Sequence, residues 1–276
     1  MENNNENKSE NLNFKLIQWN ILSKGESFCN QSSFPKVSQN SLTWEKRKLL
    51  FIKILKELNA DIYCFEEVDD YENFKEDIFS NENLNFSSIY YSKESNPQGI
   101  AVFFNNKKFE LLESMKIFLN SNEENKKSSQ FFSVYFLKEK KSEKILSIIV
   151  THLKAKKEFE EIRKAQIKHI CEFVNFDENF LKKINEYKCD SFILCGDFNT
   201  DPDSESLLSL INYKFTNGKF EKFLSSYNLF NREENNFLEC STFKIRDKEY
   251  YRVIDYIFYA GCVKLNNAIK IPNKNS

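Results

Sequence analysis

Residues 191 to 203 read Ser-Phe-Ile-Leu-Cys-Gly-Asp-Phe-Asn-Thr-Asp-Pro-Asp. The apolar run is short and ends in turn residues, as a buried strand does. Gly196 permits a sharp change of backbone direction where Asp197 and Asn199 emerge. A carboxylate two residues from a carboxamide joins an anionic acceptor to a group that both donates and accepts, which suits holding an attacking water beside a phosphate. The same residues read equally well as an Asp/Asn turn capping the next helix. Other segments decide between the two.

Upstream, residues 157 to 188 carry one or two amphipathic helices, and before them Ile145 to Val150 is a strand leading to His152. Further strands are expected over Phe86 to Tyr91, Ile100 to Phe104, Phe109 to Phe118 and Phe131 to Leu137, with Asn120 to Gln130 as a loop tip. Phe14 to Trp19 alternates as a half-buried strand closed by Asn20, and residues 21 to 41 are a loop. Trp44, Phe51, Leu55 and Leu58 recur at helical spacing between Leu42 and Asn59. Asp61 to Phe65 is a buried strand ending in Glu66-Glu67-Val68-Asp69. Downstream, mixed helical segments run to about Tyr227, followed by strands near Ser241 to Ile245 and Tyr251 to Tyr259. Residues 1 to 12 are polar and Asn-rich and read as a disordered tail. No linker and no internal period divide residues 13 to 276, so they are expected to form one domain of two packed sheets with helices outside.

Hydrophobic residues make up 41% of the 276, including 28 Phe, enough for a substantial core. Lys+Arg 40 against Asp+Glu 41 leaves a net charge of -1, so the whole-molecule field does not favour a long polyanion. Seven Cys contain no Cys-x-x-Cys pair and there are two His, which argues against zinc-ligand spacing and for reduced, mostly buried thiols. The N-terminus lacks an apolar core, and no stretch approaches the roughly 20 apolar residues of a spanning helix. A soluble cytoplasmic protein is the expectation, with an organelle left open.

Four strand ends finish in groups of one chemical kind: Asn20, Glu67, His152 and the Asp197/Asn199 pair. Hard oxygen ligands with few nitrogens suit magnesium, with manganese as a substitute, and Glu67 is the best candidate ligand. Glu66, Asp69 and Asp70 read as a solvated acidic turn. Lys154 beside His152 favours phosphate contact there, whereas His169 lies mid-helix and reads as structural. Asp255 interrupts the apolar strand Arg252-Val253-Ile254-Asp255-Tyr256-Ile257 and therefore needs a donor or a charge, which Arg252 or Arg246 could provide.

Taken in order, Gln-Trp-Asn-Ile-Leu at 18 to 22, Glu-Glu-Val-Asp at 66 to 69, Gly-Ile-Ala-Val-Phe-Phe at 99 to 104, Thr-His-Leu-Lys-Ala at 151 to 155, Gly-Asp-Phe-Asn at 196 to 199 and Asp-Tyr-Ile at 255 to 257 resemble the endonuclease/exonuclease/phosphatase superfamily. Arg163-Lys164-Ala165-Gln166 and Ser241-Thr242-Phe243-Lys244-Ile245-Arg246 are similar to its nocturnin and deadenylase branch. The resemblance covers about residues 14 to 271. It implies an α+β, four-layer α/β/β/α sandwich of two packed mixed sheets flanked by helices. It further implies that Glu67 binds magnesium with help from Asn20, that Asp197 and Asn199 position water with Asp255 in the catalytic set, and that His152 contacts phosphate. Lys93, Lys154, Arg163 and Arg246 would form the positive wall of a nucleotide pocket. Members of the superfamily finish with a strand carrying Ser-Asp-His, whereas this sequence stops at Ile271-Pro272-Asn273-Lys274-Asn275-Ser276. We read the domain as C-terminally incomplete, lacking the family's final strand, with activity impaired accordingly.

The resemblance implies a magnesium-dependent phosphohydrolase that removes the 2'-phosphate of NADP or NADPH. A 3'-to-5' exonuclease acting on an RNA 3' end is the first alternative, and an inactive nucleotide-binding module is the second. Neither a membrane nor an obligate protein partner is indicated.

Overall fold

The computed structural model describes residues 12–25, 30, 32–79, 85–94, 98–120, 127–230, 240–245 and 248–269. The first sheet comprises β1 (Leu16–Asn20), β2 (Ile62–Val68), β3 (Phe86–Ser92) and β4 (Gly99–Asn105), in the order β1-β2-β4-β3. The second comprises β5 (Phe109–Asn120), β6 (Lys127–Glu139), β7 (Ile145–His152), β8 (Ser191–Asp197), β9 (Leu224–Ser225) and β12 (Asp255–Gly261), in the order β5-β6-β7-β8-β12-β9. Strands β10 (Thr242–Ile245) and β11 (Glu249–Arg252) form a separate two-stranded ribbon. Both sheets are mixed: β1 with β2 and β7 with β8 run parallel, and the other pairs antiparallel.

Strand alternation builds the layers. Ile62 and Cys64 of β2, with Ile100, Val102 and Phe104 of β4, meet Tyr135, Leu146, Ile148, Val150, Ile193 and Cys195 of the second sheet in one buried cluster. The opposite face of β2, Tyr63 and Phe65, packs under Phe51 and Leu55 of α2 (Trp44–Leu58) and Phe74 and Ile78 of α3 (Tyr71–Phe79). Phe192 and Leu194 of β8 likewise pack under Ile167, Ile170 and Val174 of α4 (Glu160–Phe176) and Phe180 and Ile184 of α5 (Glu178–Glu186). Each such side chain taken out of water contributes about 1.5–3 kcal/mol. The result is the expected α+β sandwich in four layers.

Elsewhere the boundaries differ from the sequence reading. A short helix α1 (Gln39–Leu42), capped by Ser38, interrupts the first loop, and α6 (Glu205–Ile211), capped by Ser204, is the helix that follows the Asp197 strand. The expected strand over Tyr251 to Tyr259 is two elements, β11 and β12, broken at Val253-Ile254. The expected loop tip shrinks, because β5 continues to Asn120 and β6 resumes at Lys127, while residues 121–126 lie outside the described ones. Of the expected tail, residues 1–11 lie outside the described residues, and Leu12 packs against the inter-sheet core. The first sheet begins at β1, whose outer edge carries no strand among the described residues and whose five residues are all half-buried. No helix among the described residues is long and apolar enough to cross a membrane.

Candidate active site

Parallel pairing brings the C-terminal ends of β1 and β2 together, and likewise those of β7 and β8. Antiparallel pairing then brings the start of β12 to the same end, with Asp255 opposite Asp197 and His152 opposite Asp197 in the registers. Gly196 has φ 144°, and a Cβ there would lie 1.9 Å from the Thr151 carbonyl oxygen, so only glycine lets β7 and β8 run this close beside the two functional side chains. At the end of β2 the register shifts between Glu66 and Val68, and Glu67 takes a left-handed φ of 58°. Strand alternation already places Glu66 with Ile62 and Cys64 on the buried inter-sheet face, and the bulge re-aims Glu67 into the cleft beside His152 and Lys93.

Asn20 donates through Nδ2 to Glu67 Oε1 at 2.9 Å and to Asp197 Oδ2 at 2.9 Å, joining the two sheets. Ser23 N–H donates to Glu67 Oε2 at 3.2 Å. His152 Nε2 lies 4.0 Å from Glu67 Oε1 and 3.9 Å from Asp197 Oδ2. Asn199, at φ 52°, donates its N–H to Asp197 Oδ1 at 2.8 Å and its Nδ2 to the Leu153 carbonyl at 3.1 Å. Asp255 is held by hydroxyls: Thr242 Oγ1 donates at 2.6 Å and Ser241 Oγ at 2.8 Å, with Gln18 Nε2 farther off at 3.4 Å. Of the two arginines offered by the sequence reading, Arg246 lies outside the described residues, and Arg252 does not fill that role. Arg252 forks onto Asp201 at 3.0 and 2.8 Å.

Burial governs the electrostatics. It pushes Asp197 up to about 6 and Asp255 up to about 7, the latter helped by the facing Asp197 charge. Burial also pushes His152 down to about 4, so its imidazole is neutral at physiological pH. Burial opposes ionisation of Glu67 too, but His152, the Asn20 and Ser23 donors and the Lys244 charge outweigh it, and its pKa falls below the ordinary value. The solvated acidic turn expected over Glu66, Asp69 and Asp70 is not formed: Glu66 and Asp69 are 0% and 7% exposed, and of the three only the Asp70 side chain, 52% exposed, faces water. Alternation is the reason for Glu66, which shares the inter-sheet face with Ile62 and Cys64, and the Ser23–Gly25 segment covers Asp69.

The cations divide. Lys93 lines a cleft with Glu67, His152, Gln98, Gly99, Ile100 and Phe131, and burial lowers its pKa. Lys154 stands close enough for its charge to act on Lys93, with its Nζ 4.8 Å from the Phe159 ring centre. Arg163 is different. It is 2% exposed and donates to the carbonyls of Lys154, Lys156 and Lys157 and to Glu160, so it braces the loop that carries Lys154 instead of presenting charge to the cleft. Lys244 escaped the sequence reading. Strand alternation puts it on the face of Thr242, which bonds Asp255, and its charge acts on Glu67, His152 and Asp197. It also stands two residues before Arg246, and that spacing could have found it.

Buried acids at Glu66, Glu67, Asp197 and Asp255 converge with no lysine or arginine among the described residues in direct contact, and a divalent cation would relieve that concentration of negative charge. Among the described residues no three His, Cys, Asp or Glu side chains form a ready cage. Magnesium needs only one or two carboxylates and completes its shell with water and phosphate, so the donor set fits it.

Because Asp255 titrates upward on folding, its contribution to stability is fully present below the ordinary aspartate value and is lost as pH rises through about 7. Asp197 acts in the same sense, and His152, depressed, acts in the opposite one. In chelator, the difference in urea stability between the chain and Asp255→Asn is expected to change steadily from about pH 4 to about pH 7, the variant losing less as pH rises. Parallel curves would remove Asp255 from this account.

No protein-family model matches the chain. The chain is 28% identical to nocturnin of Xenopus laevis over 275 residues, covering 95% of this chain and 66% of that protein. It is 30% identical to nocturnin of Rattus norvegicus over 259 residues, covering 89% and 56%. The human nocturnin catalytic domain, solved with a bound sulfate anion, superposes with a TM-score of 0.67 at 25% identity, covering 89% of this chain and 82% of that one. The chain belongs to the endonuclease/exonuclease/phosphatase superfamily, on its nocturnin branch. It spans about half to two thirds of the length of these two curated nocturnins.

Proposed function

We propose that the chain is a divalent-metal-dependent phosphohydrolase of nucleotides, nocturnin-like, which removes the 2'-phosphate of NADP or NADPH with magnesium as the metal. The observation that carries the reading is the convergence of Glu67, Asn20, Asp197 and His152 at one end of the sandwich, with Lys93, Lys154 and Lys244 around them. The sulfate held by the human relative supports it, because sulfate and phosphate are tetrahedral oxyanions of like size.

Glu67, with Asn20 beside it, would hold the magnesium. When bound, the ion withdraws charge from a phosphoryl oxygen and makes phosphorus more open to attack. Asn199 donates its backbone N–H to Asp197 and a side-chain N–H to the Leu153 carbonyl, and its amide oxygen is the acceptor that orients a water. Asp197 takes the proton of that water as the new P–O bond forms and the bond to the ribose oxygen breaks; that oxygen takes up a proton from solvent to become the 2'-hydroxyl, giving NAD or NADH and inorganic phosphate. Asp197 and Asp255, facing one another, titrate as a pair, so near neutrality one holds charge while the other holds a proton. Neutral His152 donates to a phosphate oxygen, and Lys93, Lys154 and Lys244 offset the remaining negative charge.

The resemblance of the sequence motifs to the deadenylase branch keeps an RNA 3' end as the second substrate, and a carbon catabolite repressor protein 4 homologue of Arabidopsis thaliana is 24% identical over 96% of this chain. The experiment measures phosphate released from NADP and nucleotide released from oligo(A), each with magnesium and at two salt concentrations. Release from NADP that tolerates salt is expected, whereas polymer cleavage should fall steeply as salt neutralises the backbone contacts. Cleavage of oligo(A) alone would replace the substrate. Nucleotide binding without turnover of either would make the chain an inactive binding module and overturn the proposal.

A further inference from the structure

We propose that Asp69 is a positioning residue for Glu67, acting through the Ser23–Gly25 segment to set the direction of the metal-binding carboxylate. The inference rests on the reading of Glu67 as the magnesium ligand. Glu67 sits on a left-handed backbone and carries its carboxylate on a rotatable stem, so something must hold the group still if it is to meet a cation without first being ordered. Two donors do so: Asn20 Nδ2 on Oε1 and Ser23 N–H on Oε2. Asn20 stands on a strand. Ser23 stands on irregular chain that begins at Ile21 and takes Leu22 through φ 56°, and irregular chain holds a donor in place only if it is itself tied down.

Two side chains tie it. From α2, Arg47 donates to the carbonyls of Ile21, Leu22 and Ser23 at 3.0, 2.7 and 3.2 Å. From the end of β2, Asp69 accepts from Ser23 Oγ, from Lys24 N–H at 3.0 Å and from Gly25 N–H at 2.8 Å. Three consecutive backbone N–H groups are thus divided between two carboxylates that lie two residues apart on one chain: Ser23 goes to Glu67, and Lys24 and Gly25 go to Asp69. Asp69 is 7% exposed and Ser23 fully buried, so water does not replace these bonds cheaply when they are removed. Asp69 thereby measures out where the Ser23 N–H falls. It touches no substrate in this arrangement, and its effect reaches the cation only by way of Ser23 and Glu67.

Partners that orient a metal ligand typically matter about 10- to 100-fold in metal affinity. The test reads manganese binding by electron paramagnetic resonance, with no substrate present, in the full chain and in Glu67→Gln, Asp69→Ala and Asp69→Asn, with near-ultraviolet circular dichroism confirming the fold. Asp69→Ala is expected to weaken manganese binding by about 10- to 100-fold. Asp69→Asn, which keeps an acceptor for Lys24 or Gly25, is expected to recover most of that loss. Unchanged affinity in a folded Asp69→Ala overturns the inference alone. If Asp69→Ala does not fold, Ser23→Ala decides: it removes one bond to Asp69 but keeps the N–H on Glu67, and weakening of about threefold or more is expected, with none overturning the inference. Manganese binding that Glu67→Gln leaves intact overturns the reading of Glu67, and this inference falls with it.

Discussion

Glu67→Ala is expected to lower phosphate release from NADP on the order of 10³-fold while shifting the urea midpoint little. Glu67 is the carboxylate whose ionised form the site supports, with donors from Asn20 and Ser23 on its two oxygens. Removing it takes away the anion that would fix the magnesium, and electrostatic stabilisation of developing charge in a water-poor site is usually the largest single part of catalysis. The cost to folding is small by comparison. Asn20 keeps its bond to Asp197 and one charge leaves a crowded set of buried acids, while the Ser23 N–H loses its acceptor, so a change of about 1–2 kcal/mol follows. Phosphate release measured beside a urea titration separates the two effects. Equal rates in the parent chain and the variant would reject the metal assignment.

Arg163→Ala is expected to produce the reverse pattern: a loss of about 3–5 kcal/mol in stability measured in urea, with little change in substrate affinity for whatever fraction stays folded. The guanidinium is buried and donates to three carbonyls of the loop at Lys154, Lys156 and Lys157 as well as to Glu160, which also accepts from the Ser206 N–H at 2.9 Å. Truncation takes the shared donor from these part-buried acceptors at once and opens a cavity under the loop. Had Arg163 lined the nucleotide pocket, as its sequence neighbourhood implies, the variant would raise KM and leave the urea midpoint alone. Lys93→Ala is the natural comparison, because Lys93 does line the cleft with Glu67 and His152. A KM effect at Arg163 as large as at Lys93, with unchanged stability, would return the arginine to the pocket wall.

These two residues mark how far the sequence reading reached. Glu67, His152, Asp197 and Asn199 were legible because each follows a short apolar run, and a polar side chain that ends a buried strand emerges at an edge of the core. Asp255 was legible for the complementary reason: a carboxylate inside an apolar strand needs partners. Those partners were not legible. Ser241 and Thr242 reach Asp255 from a ribbon that ends at a break, Val253-Ile254, marked by neither glycine nor proline, so the segment reads as one strand. Glu66 and Asp69 read as solvated because acidic runs usually are, although alternation from Ile62 and Cys64 puts Glu66 on the buried face; the cover over Asp69 comes from Ser23 to Gly25, distant in sequence.

By itself the sequence determined the alternation and helical spacing from which two sheets and their covering helices follow, the order of the strand-end motifs, and the hard-oxygen character of the site. Those properties are local, fixed by which residue follows which. Tertiary structure alone decided where each tip points: that a bulge turns Glu67 into the cleft, that the Arg163 charge is consumed by backbone carbonyls, and that Lys244 reaches the acids from a separate ribbon. A charged side chain several bonds long can end in water, on a carbonyl or beside a carboxylate from the same sequence position, and only the surrounding packing selects among them.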